Sequence, residues 1–546
     1  MPSSTPRETT RDRLRRVASD HFGWPGLGDD QLAAMEGLLE GRDVLAVMPT
    51  GSGKSAIYQL PAMLLDGPAV VVSPLIALQR DQIGQLDDAD APDAVAVNSA
   101  QRSGEQNRAW QAARSGEAEY LFFAPEQLAK EETLTELADT HPALFVVDEA
   151  HCVSAWGHDF RPDYLRLAQA AERLGRPPVL ALTATAGGPV REDIVEHLGL
   201  RDPVCIVSGF DRPNLFLAAR RPADEEDRRA ALVDWVASAR TPGIVYAPTR
   251  KDTEHYADDL RATGLRVEAF HAGLPARERK RTQDAFMAGE TDVVVATSAF
   301  GMGIDKPDVR FVVHAAPPES LDSYYQQIGR AGRDGEPADA VLFHRAEDLS
   351  LQRFLTARSL DEGKVREVAD AVEEHKGEAG AGAIAGEVDQ SRRSALQHLN
   401  LLEQADAVRY ERGGGLSLVA GKDVEQAAAR QFERQRELDR TRIEVVREYA
   451  ETRSCRRQFL LGYFGEDLPR PCGFCDNCEA GTAEEHAPDE SVRSEFGVDT
   501  RVRHPDWGPG VVVNQEADRL TVLFDDAGYR TLSLPAVREG ELLDRE

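Results

Sequence analysis

The sequence predicts an α/β protein: two tandem parallel-sheet domains, then a winged-helix-like segment, a four-cysteine module and a small C-terminal β-barrel. Three observations predict it. Short apolar runs alternate with polar, helix-like stretches as far as about residue 348. A glycine-rich string ending in Lys54-Ser55 joins the first of those runs to an apparent helix. Four cysteines crowd into Cys455–Cys478, and the last stretch is strand-rich and flanked by Gly and Pro.

In the first domain the runs are Val44–Val47, Val70–Val72, Leu121–Phe123, Leu144–Val147 and Val179–Leu182. Strands separated by helix-length polar stretches are the pattern of a parallel sheet. A bridging segment covers about Gly209–Ala223, and the alternation resumes with Gly243–Tyr246, Val267–Phe270, Val293–Ala296, Arg310–His314 and Ala340–Phe343. From Asp361 to Val419 two or three helices precede a hairpin made of Ala407–Glu411, a Gly413-Gly414-Gly415 turn and Leu416–Val419. A long charged helix from about Lys422 to Glu451, the cysteines, a polar linker near Ala480–Arg493 and a strand-rich Asp499–Leu543 complete the chain. The expected boundaries are 1–208 and 209–348 for the two sheet domains, 361–420 for the winged-helix-like segment and 421–479 for the helix with its cysteine module. A linker over 480–497 and a barrel over 498–546 follow.

At roughly 100–200 residues per domain, the 546 residues suggest about three to five domains. A hydrophobic share of 41% and a charged share of 29% fit a globular protein. No apolar run reaches the roughly 18–20 residues of a membrane span; the longest candidate, Ala69–Leu78, is interrupted by Ser73 and Pro74. Arg7, Arg11, Arg13, Arg15 and Arg16 near the N-terminus precede no apolar segment, so no secretory signal is read and the cytoplasm is the expected compartment. A net charge of −30 argues against holding nucleic acid by bulk positive charge, though not against a local groove. Cys152 and Cys205 stand apart from the other four cysteines, which excludes a secreted disulfide framework.

Met48-Pro49-Thr50-Gly51-Ser52-Gly53-Lys54-Ser55 follows a strand and precedes a helix. In that setting the glycines let backbone N–H groups approach phosphate oxygens. Lys54 would reach the β- and γ-phosphates and the Ser55 hydroxyl would ligate Mg²⁺, with Thr50, Gly51, Ser52 and Gly53 forming the cradle. Asp148-Glu149-Ala150-His151 ends the run Leu144–Val147, about 95 residues later. Carboxylates at strand ends of such sheets face the ligand crevice. Asp148 is the candidate for Mg²⁺ and Glu149 for orienting or deprotonating the attacking water. In the second domain, Gln326-Gln327-Ile328-Gly329-Arg330-Ala331-Gly332-Arg333-Asp334-Gly335 sets two arginines three residues apart. Guanidinium groups so placed can stabilise the charge that develops in phosphoryl transfer. A solvated helix face is the other reading of an Arg-x-x-Arg.

With these strings in place the sequence resembles the RecQ family of superfamily 2 helicases, over about residues 15–348 and again over 455–478. The likeness rests on Val72-Ser73-Pro74-Leu75-Ile76-Ala77-Leu78, Ala124-Pro125-Glu126, Leu182-Thr183-Ala184-Thr185-Ala186, Phe210-Asp211-Arg212-Pro213-Asn214 and Phe270-His271-Ala272-Gly273-Leu274. It continues through Ala296-Thr297-Ser298-Ala299-Phe300-Gly301-Met302-Gly303-Ile304-Asp305-Lys306-Pro307. Most specific is the aromatic-rich stretch from Asp148 to Pro162, Asp-Glu-Ala-His-Cys-Val-Ser-Ala-Trp-Gly-His-Asp-Phe-Arg-Pro. The resemblance implies two RecA-like domains, ATP as nucleotide and 3′→5′ unwinding of DNA in repair, recombination or replication. It implies that Trp156, His158, Phe160 and Arg161 contact DNA; the aromatics also suit stacking on the bases of a single strand. It implies nucleotide-binding roles for Gly303, Asp305 and Gln326, an adenine-recognising role for Gln31 and base stacking for Trp24. Trp24 equally suits a packing role. Gly28 stands where the family has an arginine.

The spacing Cys455-x₁₆-Cys472-x₂-Cys475-x₂-Cys478 supplies four thiolates for a tetrahedral ion, with zinc the expected metal and an Fe–S cluster the rival. All four positions match the RecQ zinc module, with Cys455-Arg456-Arg457 and Tyr463-Phe464-Gly465 beside them. A site closed by four protein ligands is structural. The winged-helix-like segment here precedes Cys455, whereas many RecQ proteins carry it afterwards, so no duplex-splitting hairpin is transferred. Arg392 and Arg393 fit either the start of a DNA-contacting helix or a solvated face. Val502-Arg503-His504-Pro505-Asp506-Trp507-Gly508-Pro509-Gly510-Val511-Val512 resembles the C-terminal Tudor-like domain of UvrD/PcrA-type helicases, which implies RNA polymerase as a partner. Trp507 suits a docking aromatic and the core of the barrel equally. Alternatives to a DNA helicase are a translocase or RNA helicase with the same ATPase, or a non-catalytic scaffold between DNA and a polymerase. The last needs a broken hydrolytic site, and Lys54, Ser55, Asp148, Glu149, Arg330 and Arg333 are all present.

Overall fold

A run such as Val44-Leu45-Ala46-Val47 is apolar at every position, so it is stable only where both faces of its strand are covered. In the computed structural model that run is strand β1 (Val44–Val47), fully buried. The structure is described for residues 8–546 except 75, 88, 90, 98–102, 155, 157, 158, 302, 303, 346, 349–358, 412–414 and 488–494. The chain forms two compact units, one of residues 1–345, 447–499 and 513–517, the other of 346–446, 500–512 and 518–546.

In the first unit, β1 joins β2 (Ala69–Val72), β3 (Asp93–Val97), β4 (Ala118–Phe123), β5 (Leu144–Val147), β6 (Val179–Thr183) and β7 (Val204–Val207). Their order is β3-β4-β2-β5-β6-β1-β7 and every pairing is parallel. A second all-parallel sheet has the order β10-β11-β9-β12-β13-β8. Its strands are β8 (Leu215–Arg220), β9 (Gly243–Tyr246), β10 (Val267–Phe270), β11 (Val293–Ala296), β12 (Phe311–His314) and β13 (Ala338–Phe343). Each sheet has its own apolar core. Parallel strands share one carboxyl edge, so the segments after β1, β5 and β6 emerge side by side there.

The ten strands expected from apolar runs are present, and three more accompany them. β3, β7 and β8 stand at sheet edges with partly exposed side chains. β8 corrects the reading of Gly209–Ala223 as a plain bridge: the segment supplies the outermost strand of the second sheet. The apolar runs of β3, β7 and β8 are as continuous as those of central strands, so it is their place at the sheet edges, not their composition, that sets them apart.

Gly243, at the start of β9, illustrates how closely the second sheet is packed. A Cβ there would lie 2.1 Å from Cζ of Phe311, a fully buried ring set edge-on to Trp235. Gly243→Ala should destabilise the first unit by about 1–3 kcal/mol, the usual cost of overpacking a core. Thermal unfolding would show it, and a melting point equal to the parent's would mean the ring has room to move.

In the second unit, helices Glu362–His375, Ala381–Glu387 and Arg392–Gln404 pack around Val365, Val368, Ile384 and Leu399, with the antiparallel hairpin β14 (Val408–Tyr410) and β15 (Leu416–Leu418). Gly413 and Gly414 of the expected turn lie outside the described residues. Arg392 and Arg393 are exposed at the start of the third helix, capped by Ser391. The long helix runs Val424–Glu451. Within the segment read as a polar linker, Thr482–Glu485 forms a short helical turn.

At the C-terminus, β16 (Arg501–His504), β17 (Gly508–Gln515), β18 (Arg519–Phe524), β19 (Gly528–Ser533) and β20 (Asp544–Arg545) form a sheet in the order β19-β18-β17-β16-β20. This small antiparallel sheet stands where the strand-rich C-terminal segment was expected. Trp507 is half-buried there, stacked on His504 at 4.1 Å and tilted against Phe524 at 5.4 Å. Among the described residues no helix is long and apolar enough to cross a membrane.

Candidate nucleotide cleft and metal centre

Between β1 and the helix Ala56–Ala62 the chain must turn tightly. Gly51 and Gly53 do so at φ of 81° and 74°, a region that side-chain-bearing residues disfavour. Lys54 lies inside this loop and donates to the carbonyls of Met48 at 3.0 Å and Pro49 at 3.2 Å. Burial pulls its ammonium below the usual lysine range, while Glu149 and Asp148 oppose that. Asp148 follows β5 directly. Burial pushes its carboxyl up to about 7, and the neighbouring Glu149 adds to the shift while Lys54 counters it. A cation in the cleft would relieve the crowding of the Asp148 and Glu149 carboxylates, which is the property a magnesium site needs.

Glu149 takes a left-handed φ of 50°. Its Oε2 lies 3.3 Å from Nδ1 of His151, and the same nitrogen is 2.9 Å from the Thr183 hydroxyl at the end of β6. His151 thus ties the β5 segment to the β6 segment, a role that its place in the string beginning at Asp148 did not reveal.

The cavity above these groups has a volume of about 1000 Å³ and is lined from both sheets of the first unit. One wall carries Trp24, Gln31, the residues Thr50–Ser55, Asp148 and Glu149; the other carries Asp305, Gln326, Arg330 and Arg333. Gly303 lies outside the described residues. Arg333 leans on the glycine loop so closely that a Cβ on Gly51 would meet its Cδ at 3.1 Å. It is held by Asp305 at 2.7 Å and by the carbonyl of Ile304 at 3.0 Å. Arg330 is buried and donates from Nη1 to the carbonyl of Gly301, while its Nε has no partner. The two arginines therefore share the cavity with Lys54.

Gln31 accepts from the Gly28 amide at 2.8 Å and donates to the carbonyls of Ser52 at 3.0 Å and Gly53 at 3.1 Å, so it braces the glycine loop. Trp24 packs on the first core and lines the cavity, stacked on Phe22 at 4.4 Å. Phe22 went unnoticed in the sequence, where one aromatic two residues before another carries no signal.

Trp156 and Phe160 are half-buried, and His158 lies outside the described residues. Arg161 is engaged within the chain: it pairs with Asp159 at 2.7 Å and donates to the carbonyl of Pro74 at 2.9 Å. The loop is thereby fastened to the segment that follows β2.

The sulfur atoms of Cys455, Cys472, Cys475 and Cys478 all lie within 4.8 Å of one another, and all four cysteines are free. A zinc–sulfur bond of about 2.3 Å in a tetrahedron puts its sulfurs roughly 3.8 Å apart, so the set fits zinc. Hydrogen bonds from Cys455 and Cys472 draw the Cys475 thiol down, while bonds to Cys455 and Cys475 push Cys472 up. The module also grips the second sheet. Asp476 accepts from Arg456 at 2.6 Å and from the Ala219 amide of β8 at 2.9 Å, and Cys475 bridges Leu217 in parallel. Arg457 donates to Asp211 at 3.1 Å, and Phe464 stacks on Phe210 at 4.7 Å.

Comparison with known proteins agrees with this geometry. Residues 29–194 match the DEAD/DEAH box helicase family, 227–335 the helicase conserved C-terminal domain and 419–479 the RecQ zinc-binding family. The probable ATP-dependent DNA helicase RecS of Bacillus subtilis is 33% identical over 498 residues, covering 89% of this chain and 97% of that protein. The ATP-dependent DNA helicase RecQ of Pasteurella multocida is 34% identical over 86% of this chain but only 62% of its own length. In fold, the Mycobacterium smegmatis helicase Lhr bound to ssDNA and AMP-PNP is similar at a TM-score of 0.51 and 21% identity, covering 97% of this chain and 83% of that one. Two parallel-sheet domains around a shared cavity, a four-cysteine module that matches the RecQ zinc-binding family, and 33% identity across 97% of RecS lead to one assignment: the chain belongs to the RecQ family of ATP-dependent DNA helicases.

Proposed function

We infer that this chain hydrolyses ATP in the cleft between its two parallel sheets and uses the resulting movement to travel 3′→5′ on single-stranded DNA and part duplexes. The observation that carries the reading is the placement of Arg333 against Gly51, which joins both domains around one cavity. Lys54 and the amides of Gly51–Ser55 hold the phosphates, and Gln31 and Trp24 hold the base end. Magnesium held by Ser55 and Asp148 supplies charge neutralisation of the phosphates when bound. Glu149, set by His151, takes the proton of the attacking water. Arg330 and Arg333 stabilise the charge that develops on the transferred phosphoryl group, so closure of the cleft and hydrolysis are linked. Trp156, Phe160 and Arg161 contact the strand, with His158 joining them. Cys455, Cys472, Cys475 and Cys478 hold a structural zinc. The relatives' names support DNA as the track. The work belongs to DNA repair, recombination or replication near the nucleoid. For the C-terminal sheet, the Tudor-like sequence around Trp507 supports docking on RNA polymerase.

The test is strand displacement on duplexes bearing a 3′ or a 5′ single-stranded tail, with forked and four-way DNA alongside. ATP-dependent unwinding from the 3′ tail alone is expected, and it should vanish in Lys54→Ala. DNA-stimulated hydrolysis without displacement would mark a translocase; stimulation by RNA alone would mark an RNA helicase.

A further inference from the structure

Gln82 sits on the helix Ile76–Asp87, away from every string that marks the nucleotide site, yet it lines the cavity. It is 7% exposed. Its Nε2 lies 3.3 Å from Oδ2 of Asp148, and its Oε1 is buried with no partner. The amide orientation follows from chemistry, since an amide oxygen turned toward the carboxylate would repel it. The other Asp148 oxygen, Oδ1, accepts from the Glu149 amide at 3.0 Å. Both oxygens are therefore engaged from different directions, which fixes the carboxylate's rotation.

The same helix begins just after Pro74, whose carbonyl takes the 2.9 Å bond from Arg161. Gln79 holds the turn by donating to the carbonyl of Ser73 at 3.0 Å. The helix thus meets the Asp148 carboxylate less than two turns from its start.

We propose that Gln82 is a positioning residue that sets the Asp148 carboxylate for its metal. The proposal rests on the reading of Asp148 as the magnesium carboxylate. It assigns the bare Oε1 a use: a metal-bound water beside Asp148 would donate to it. Groups that orient metal ligands typically change metal affinity by about 10–100-fold when removed.

The experiment uses the full chain holding a non-hydrolysable ATP analogue, with Mn²⁺ binding followed by electron paramagnetic resonance. Gln82→Met, of similar shape, and Gln82→Asn, whose amide falls a methylene short, should each weaken Mn²⁺ binding about 10-fold. Analogue affinity in EDTA and the melting point should stay at parental values. Parental Mn²⁺ affinity in either folded variant overturns the proposal. Equal loss of Mn²⁺ and of metal-free nucleotide binding in both variants also overturns it, because that marks a purely structural role. Asp148→Asn separates the layers: parental Mn²⁺ binding there would remove Asp148 from the metal site, whereas loss there beside parental Gln82 variants would remove Gln82 alone.

Discussion

Arg333→Ala should slow DNA-stimulated ATP hydrolysis by about 10³–10⁵-fold, the range by which arginine fingers accelerate phosphoryl transfer. At 1.36 kcal/mol per decade this is a loss of about 4–7 kcal/mol of transition-state stabilisation. The side chain reaches the phosphate loop from the second sheet domain, already oriented by Asp305 and the Ile304 carbonyl. Its largely covered side chain makes each charge contact stronger than it would be in water. A group used mainly in the transition state lowers kcat when removed and leaves ground-state binding nearly intact. Nucleotide affinity in Arg333→Ala should therefore remain close to the parent's, while Lys54→Ala should lose both. Arg333→Lys should recover little, because a single ammonium lacks the planar fork of the guanidinium. Hydrolysis within about twofold of the parent in Arg333→Ala would take this residue out of the chemistry.

Removing the zinc should have the second large effect. Closed four-cysteine sites in small modules bind with about 10–16 kcal/mol, comparable to the whole stability of a typical domain. In this chain the module does more than fold itself. Asp476 and Cys475 cover the free edge of the second sheet through Ala219 and Leu217, and Arg457 and Phe464 fasten the segment leading into β8. Cys475→Ser should drop zinc per chain by elemental analysis. It should lower the melting point and open the region between Cys455 and Cys478 to protease. Because β8 would then present unpaired backbone, the variant should also aggregate more readily on warming. Full zinc content in Cys475→Ser would mean the ion is held elsewhere. Retained zinc-free stability after chelation would mean the grip on β8 is made by protein contacts alone.

The sequence by itself determined the central strands, the phosphate loop and the cysteine set. A strand covered on both faces must be apolar at each position, as β1, β2 and β5 are. A loop that approaches phosphates needs glycine at Gly51 and Gly53, and a tetrahedral metal needs four ligands at short spacing; all three are local demands, written in neighbouring residues. The tertiary structure alone decided the edges and the long-range contacts. β3, β7 and β8 have apolar runs like the central strands, and only the pairing order puts them at the sheet edges, where their side chains are partly exposed. Gln82 meets Asp148 across 66 residues, and Asp476 meets Ala219 across 257. Arg161, which the family resemblance implies as a DNA contact, donates to the carbonyl of Pro74 across 87 residues. Such pairings depend on which strand lies beside which, and side-chain hydrogen bonds of that reach leave no trace in the residues on either side.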